Sequence, residues 1–149
     1  MAWTFLRDNL YLEFMDQMVG PDGVIRGPAG DGRAAVVSHD DIARAAVAVL
    51  SDPVAHVGRT YDLTGPEALS FAEMATVIRE VTGRDVSFHD ETIEEAYASR
   101  RAWDAPQWQY DAWVSTYTAI AAGEVEAVSD DVRRITGRAP IGLREMLAG

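Results

Sequence analysis

Three short polar signatures, each heading an apolar helical run, fix where this chain must turn from strand to helix. Ser38 stands three residues before Asp41, Ser70 before Glu73 and Thr92 before Glu95. At this spacing a hydroxyl caps the backbone N–H three residues on, and the acidic side chain can reach back to the N–H of the capping residue. Strand-like runs precede all three: Ala34 to Val37 before the first, Arg59 to Leu63 and a Gly65-Pro66 turn before the second, Val86 to Phe88 before the third. Behind the first box, Ile42 to Leu50 is apolar on nearly every side except at Arg44, which implies burial between layers. Behind the second, Phe71, Met74, Ala75, Ile78 and Val81 recur at helical spacing until Gly83 supplies a stop. The third opens a helix to about Arg101.

The flanks fit the same scheme. Trp3 to Arg7 (WTFLR) is short, apolar and β-prone, and Asp8-Asn9 offers a cap for a helix from about Leu10 to Met18. Val24 to Arg26 is another strand-like piece. A longer helix is expected from Pro106 to Ala122, ended by Gly123, and Ser129 heads a last helix ending at Thr136-Gly137-Arg138. Strands alternate with helices to about residue 90 and helix dominates afterwards. With no linker in sight, this predicts a single compact α/β domain over residues 1–149, short strands alternating with helices and then a helical C-terminal segment.

Composition narrows the chemistry. There is no cysteine, which removes disulfides, thiolate catalysis and cysteine-ligated metal. All 13 basic residues are arginine, so no lysine can form a Schiff base. A net charge of −11 argues against nucleic acid as a partner. No apolar run approaches the roughly 18 residues of a membrane span and no signal peptide is visible, so a cytoplasmic location is expected. His39, His56 and His89 lack metal-ligand spacing, and no metal site is expected. His39 reads as a first-turn residue of a capped helix and His56 as solvated. The acidic pairs Asp40-Asp41, Glu94-Glu95 and Asp130-Asp131 each fall in a first helical turn, where they complement the helix dipole. No Gly-x-Ser-x-Gly elbow occurs.

Two features bear on ligands. Gly27-x-x-Gly30-x-Gly32 lies between two strand-like pieces, whereas a dinucleotide cradle needs a strand, the glycines and then a helix. A turn is the better reading. Trp103, Trp108, Tyr110, Trp113 and Tyr117 crowd one segment, with Trp113, Tyr117 and Ile120 on one helical face. That face is either a core seam or the wall over a flat aromatic substrate.

The run Asp41-Ile-Ala, Thr60-Tyr-Asp-Leu-Thr-Gly-Pro-Glu67, Glu73 and Thr82-Gly-Arg84 resembles the C-terminal portion of NmrA-like, quinone-oxidoreductase-like members of the short-chain dehydrogenase/reductase superfamily. The likeness continues through Tyr117-Thr-Ala-Ile-Ala-Ala-Gly-Glu124 and Ser129-Asp-Asp-Val132. The resemblance implies hydride transfer from NADPH or NADH to a quinone, a dye or a small carbonyl compound. It implies the C-terminal part of a Rossmann-like short-chain dehydrogenase fold, with the glycine-rich dinucleotide-binding half absent from these 149 residues and the substrate-side half left, catalytically poor alone. The better-known Tyr-x-x-x-Lys pair of that superfamily has only Tyr97-Ala-Ser-Arg-Arg101 as a counterpart, with arginine in the lysine position.

The family's strand ending in Leu-Arg, followed by an Asn and an aromatic residue, corresponds to Leu6 to Tyr11. By resemblance Asn9 and Arg7 contact the NADP or NAD cofactor, and Tyr11 and Phe14 contact the substrate; Trp108 and Trp113 of the aromatic segment are the further candidate substrate contacts. Asn9 reads equally as a plain helix cap. The first strand would have one unpaired edge, and a homo-oligomer through that edge is expected. A non-catalytic regulatory or protein-interaction module, or a truncated reading frame, are the alternatives.

Overall fold

The computed structural model describes all 149 residues. In chain order the elements are β1 (Thr4–Asp8), α1 (Leu12–Gln17), β2 (Val24–Gly27), β3 (Arg33–Ala34), α2 (His39–Ser51), β4 (Arg59–Leu63), β5 (Leu69–Ser70), α3 (Phe71–Thr82), β6 (Ser87–Asp90), α4 (Ile93–Arg100), α5 (Gln107–Ala121), α6 (Asp131–Thr136) and α7 (Leu143–Ala148). The mixed α/β class expected from the sequence is observed. The strands form three pairs: β1 with β4 and β2 with β6, both parallel, and β3 with β5, antiparallel.

The β1–β4 pair is covered on one face. Leu6 lies opposite Tyr61 in the register, and Leu63 follows two residues on. Side chains two apart point the same way in a strand. These three meet Ala45 and Val49 of α2, Val37, and Val132 of α6 in one apolar cluster. The other face carries Phe5, which is 56% exposed, and Arg7, paired with Asp62 across the strands. Within these residues β1 bonds only to β4, so its outer edge is free.

The larger cluster lies beneath β2. Ile25 meets Leu12 and Met15 of α1, Phe71, Met74, Ala75 and Ile78 of α3, Tyr117 and Ile120 of α5, and Leu143 of α7. The capping box at Ser70 is complete in both directions, and Gly83 ends α3 in the left-handed conformation at φ 71°. The Thr92 box is complete as well.

Four expectations need correction. α1 starts at Leu12 behind Tyr11, and Asn9 does not cap it. Instead the Asn9 Oδ1 accepts from Leu10 N–H and its Nδ2 donates to the Val125 carbonyl, tying the end of β1 to a distant loop. α2 is not buried all round: Ala45 and Val49 face the core, while Val47 and Leu50 are exposed. The run 34–37 yields only Ala34 within a strand, with Val37 forming a lone parallel bridge to Tyr11. His56 is half-buried, its Nδ1 2.8 Å from the Tyr61 hydroxyl, rather than solvated.

The Ser38 box departs from the reciprocal pattern in an informative way. Ser38 Oγ accepts from Asp41 N–H as expected, but the Asp41 carboxylate does not return to the backbone of Ser38. Fully buried, it accepts from the Ser38 hydroxyl at 2.8 Å, from Arg44 at 2.5 Å and from the Ile141 backbone N–H at 2.7 Å. One carboxylate thereby joins the head of α2 to the segment leading into α7. Asp41→Asn keeps the volume and removes the charge. Hydrogen bonds to charged groups contribute about 1.5–3 kcal/mol. The variant is expected to lose about 2–3 kcal/mol of unfolding free energy in urea, with faster hydrogen exchange at Ile141 N–H. Unchanged exchange at Ile141 would contradict this role.

Candidate functional site

A cavity of about 560 Å³ opens between the end of α1, β2, the end of α4 and α5. Its size lies in the range of small-molecule sites. Met18, Val19, Pro21 and Val24 form one side; Trp103, Trp113 and Tyr117 form the other. Trp113 is held in place by its neighbours. The Trp103 ring meets it nearly edge-on at 6.0 Å and the Tyr110 ring lies at 5.8 Å. Tyr110 donates its hydroxyl hydrogen to the Trp103 carbonyl at 2.6 Å, which fixes the loop between α4 and α5 against the helix it precedes.

The polar part of the wall centres on Arg100, the last residue of α4, only 7% exposed. Its Nη1 donates to Glu91 at 2.5 Å, to the Ala96 carbonyl and to Ser99 Oγ, and its Nη2 donates to the Arg26 carbonyl on β2. Glu91 follows β6 directly and is itself buried. The guanidinium carbon lies 5.0 Å from the centre of the Tyr117 ring. A cation over an aromatic face is attractive, more so when desolvated. Burial raises the Tyr117 hydroxyl above its ordinary value of 10, and the adjacent Arg100 opposes that rise only in part. Tyr117 therefore keeps its proton at neutral pH. The second arginine of the wall, Arg26, is paired with Asp22 at 2.6 Å, and the guanidinium holds that carboxyl down at about 2.

Tyr117 reaches its position because residue 27 is glycine. A Cβ at Gly27 would stand 2.1 Å from Tyr117 Cδ1, so the ring lies directly on the β2 backbone. Gly32 is similarly pressed against the Ile120 carbonyl of α5, and the Gly30 N–H is bonded to Asp90. This glycine segment is a turn packed under α5. It does not open a helix, so it offers no pyrophosphate cradle.

The sequence-derived site residues fall into separate places. Trp113 lines the cavity, whereas Trp108 is 68% exposed and does not. Tyr11 and Phe14 sit beyond the end of β1, packed on each other and on His39, whose ring centre is 4.5 Å from that of Tyr11. Glu13 fastens this group by accepting from the His39 backbone N–H at 2.9 Å and lying 3.2 Å from its Nδ1. Phe14 precedes Gln17 and Met18 of the cavity wall by one helical turn. The polar groups of Arg7 and Asn9 are engaged with Asp62 and Val125. Arg100 and Glu91 escaped the sequence reading, since they meet only because α4 folds back over the end of β6.

No family model matches the chain. It is 31% identical over 141 residues to an NAD(P)H azoreductase of Xenophilus azovorans, covering 93% of this chain and 49% of the relative. It is 33% identical over 151 residues to an uncharacterized oxidoreductase of Bacillus subtilis, covering 98% and 52%. Its fold superposes on the NADPH-dependent quinone oxidoreductase of Escherichia coli, solved in complex with NADPH, with a TM-score of 0.88 at 24% identity, covering 99% of this chain and 53% of that one. The chain thus spans about half the length of the curated relatives it matches.

The contact between Gly27 and Tyr117 sets a stability test. Overpacking costs about 1–3 kcal/mol. Gly27→Ala is expected to lose that amount in urea unfolding and to change the near-ultraviolet circular dichroism of the aromatic wall. Stability within about 0.5 kcal/mol of the parent would contradict the close approach.

Proposed function

We propose that this chain, which belongs to the NmrA-like, quinone-oxidoreductase-like family of NAD(P)H-dependent reductases, forms the substrate-side portion of such an oxidoreductase. The observation that carries this reading is the aromatic-walled cavity between α1, β2, α4 and α5. Its apolar sides suit a flat ring, and Trp113 stands at its wall. The substrate class is a quinone-like or small carbonyl compound. Structures of the family are solved with NADPH or NADP(H) bound, and that cofactor supplies the hydride. The pyrophosphate cradle belongs to the part of the relatives' length that these 149 residues do not match. This chain contributes the dry, shaped wall that orients the acceptor.

Binding by these residues is separable from turnover. 1,4-Naphthoquinone is expected to bind the chain reversibly, since it offers no cysteine or lysine for covalent addition, and to quench tryptophan fluorescence. Trp113→Ala should weaken binding by about tenfold, and Trp108→Ala should leave it unchanged. With NADPH the chain alone should turn over well below about 1 per second, the low end of ordinary enzymes. Absence of quinone binding, or turnover in the ordinary range, would overturn this assignment.

The free edge of β1 and the exposed Trp3 and Phe5 beside it belong to the same reading. Prepared as these 149 residues alone, the chain is expected to self-associate through that edge. Light scattering should give a mass above the 16.3 kDa of one chain, and a monomer at high concentration would exclude it.

A further inference from the structure

Resting on the cavity as the acceptor's seat, we infer that Tyr117 and Arg100 form a hydrogen-bonding site for one oxygen of an uncharged planar ring, and so determine specificity for carbonyl-bearing rings over anions and hydrocarbons. Two polar side chains of this wall are more than nine-tenths buried, Arg100 at 7% and Tyr117 at 9% exposure. Buried polar groups are normally satisfied. The Tyr117 hydroxyl hydrogen nevertheless meets no protein acceptor. A guanidinium carries five N–H groups. The four bonds of Arg100 to protein originate from Nη1 and Nη2, and a further N–H is directed at the Tyr117 oxygen, which leaves one N–H of Nε or Nη2 unused. The Tyr117 hydroxyl oxygen and Arg100 Nε are not sealed from solvent, and both residues line the cavity. The unused donors stand on one wall beside an aromatic face.

Charge then selects among acceptors. Glu91 already neutralises Arg100, and Asp22 neutralises Arg26. An added anion would meet arginines that are already paired, and burying an unpaired charge is costly. A neutral carbonyl oxygen takes the unused N–H and O–H groups without that cost. A bare hydrocarbon fills the aromatic slot and leaves those donors unmet, the situation that gives sites built for hydrogen bonding their discrimination.

The test compares 1,4-naphthoquinone, naphthalene and 1-naphthoate on the full chain and on Tyr117→Phe, which removes only the hydroxyl. The quinone should bind the parent chain tighter than either of the others. In Tyr117→Phe its affinity should fall about three- to tenfold while that of naphthalene stays the same. Near-ultraviolet circular dichroism verifies that the variant keeps the fold. Quinone binding that Tyr117→Phe leaves unchanged, or that falls together with naphthalene binding, overturns this inference and leaves the substrate-side reading standing. Tighter binding of 1-naphthoate than of the quinone also overturns it, marking an anion site. Failure of all three to bind overturns both readings.

Discussion

The buried pair of Arg100 and Glu91 is the contact on which the candidate site depends. Removing two charges from water costs several kcal/mol per ion, and their attraction offsets this only when the remaining donors and acceptors are satisfied as well. Arg100 meets that condition for most of its donors, by bonding to α4 itself through Ala96 and Ser99 and to β2 through Arg26. It also lies over the Tyr117 ring of α5. One side chain thus fixes β6, α4, β2 and α5 relative to one another, and the cavity is the space left between them and the end of α1. A buried pair of this kind specifies geometry more than it adds stability, and here the geometry is that of a pocket wall.

The fold divides the work between two apolar clusters. One lies under β1 and β4 and is closed by α2 and α6; the other lies under β2 and β6 and is closed by α3, α5 and α7. Long-range hydrogen bonds join the two: Asn9 to Val125, and Asp41 to Ile141. The cavity belongs to the second cluster. The free strand edge and the exposed Phe5 belong to the first, on the far side of the β1–β4 pair from α2. The cavity and the free strand edge therefore lie on different parts of the molecule.

Much of this was legible in the residues because caps and stops are local. Ser70 with Glu73, Thr92 with Glu95 and the left-handed Gly83 act within a few residues, and each forms as read. Asn9 misled because its amide has a remote partner, Val125, which outcompetes the local cap. Asp41 misled for the same reason, since its carboxylate holds Ile141 a hundred residues away. α7 and the two-residue β5 carry too little periodicity to announce themselves. The aromatic segment was partly decidable. Trp113 and Tyr117 are four apart and share a helical face, whereas Trp108 is five from Trp113 and points elsewhere. Arg100 was not decidable, because nothing in α4 alone distinguishes a buried arginine from a favourable charge at a helix C-terminus.

A crystal structure of the chain with 1,4-naphthoquinone bound tests the central claim most directly. The account predicts the ring against Trp113, one quinone oxygen at hydrogen-bonding distance, about 2.7–3.2 Å, from Tyr117 Oη or an unused Arg100 N–H, and the Arg100–Glu91 pair intact. A quinone bound elsewhere, or held in the cavity with both oxygens away from Tyr117 and Arg100, would contradict it.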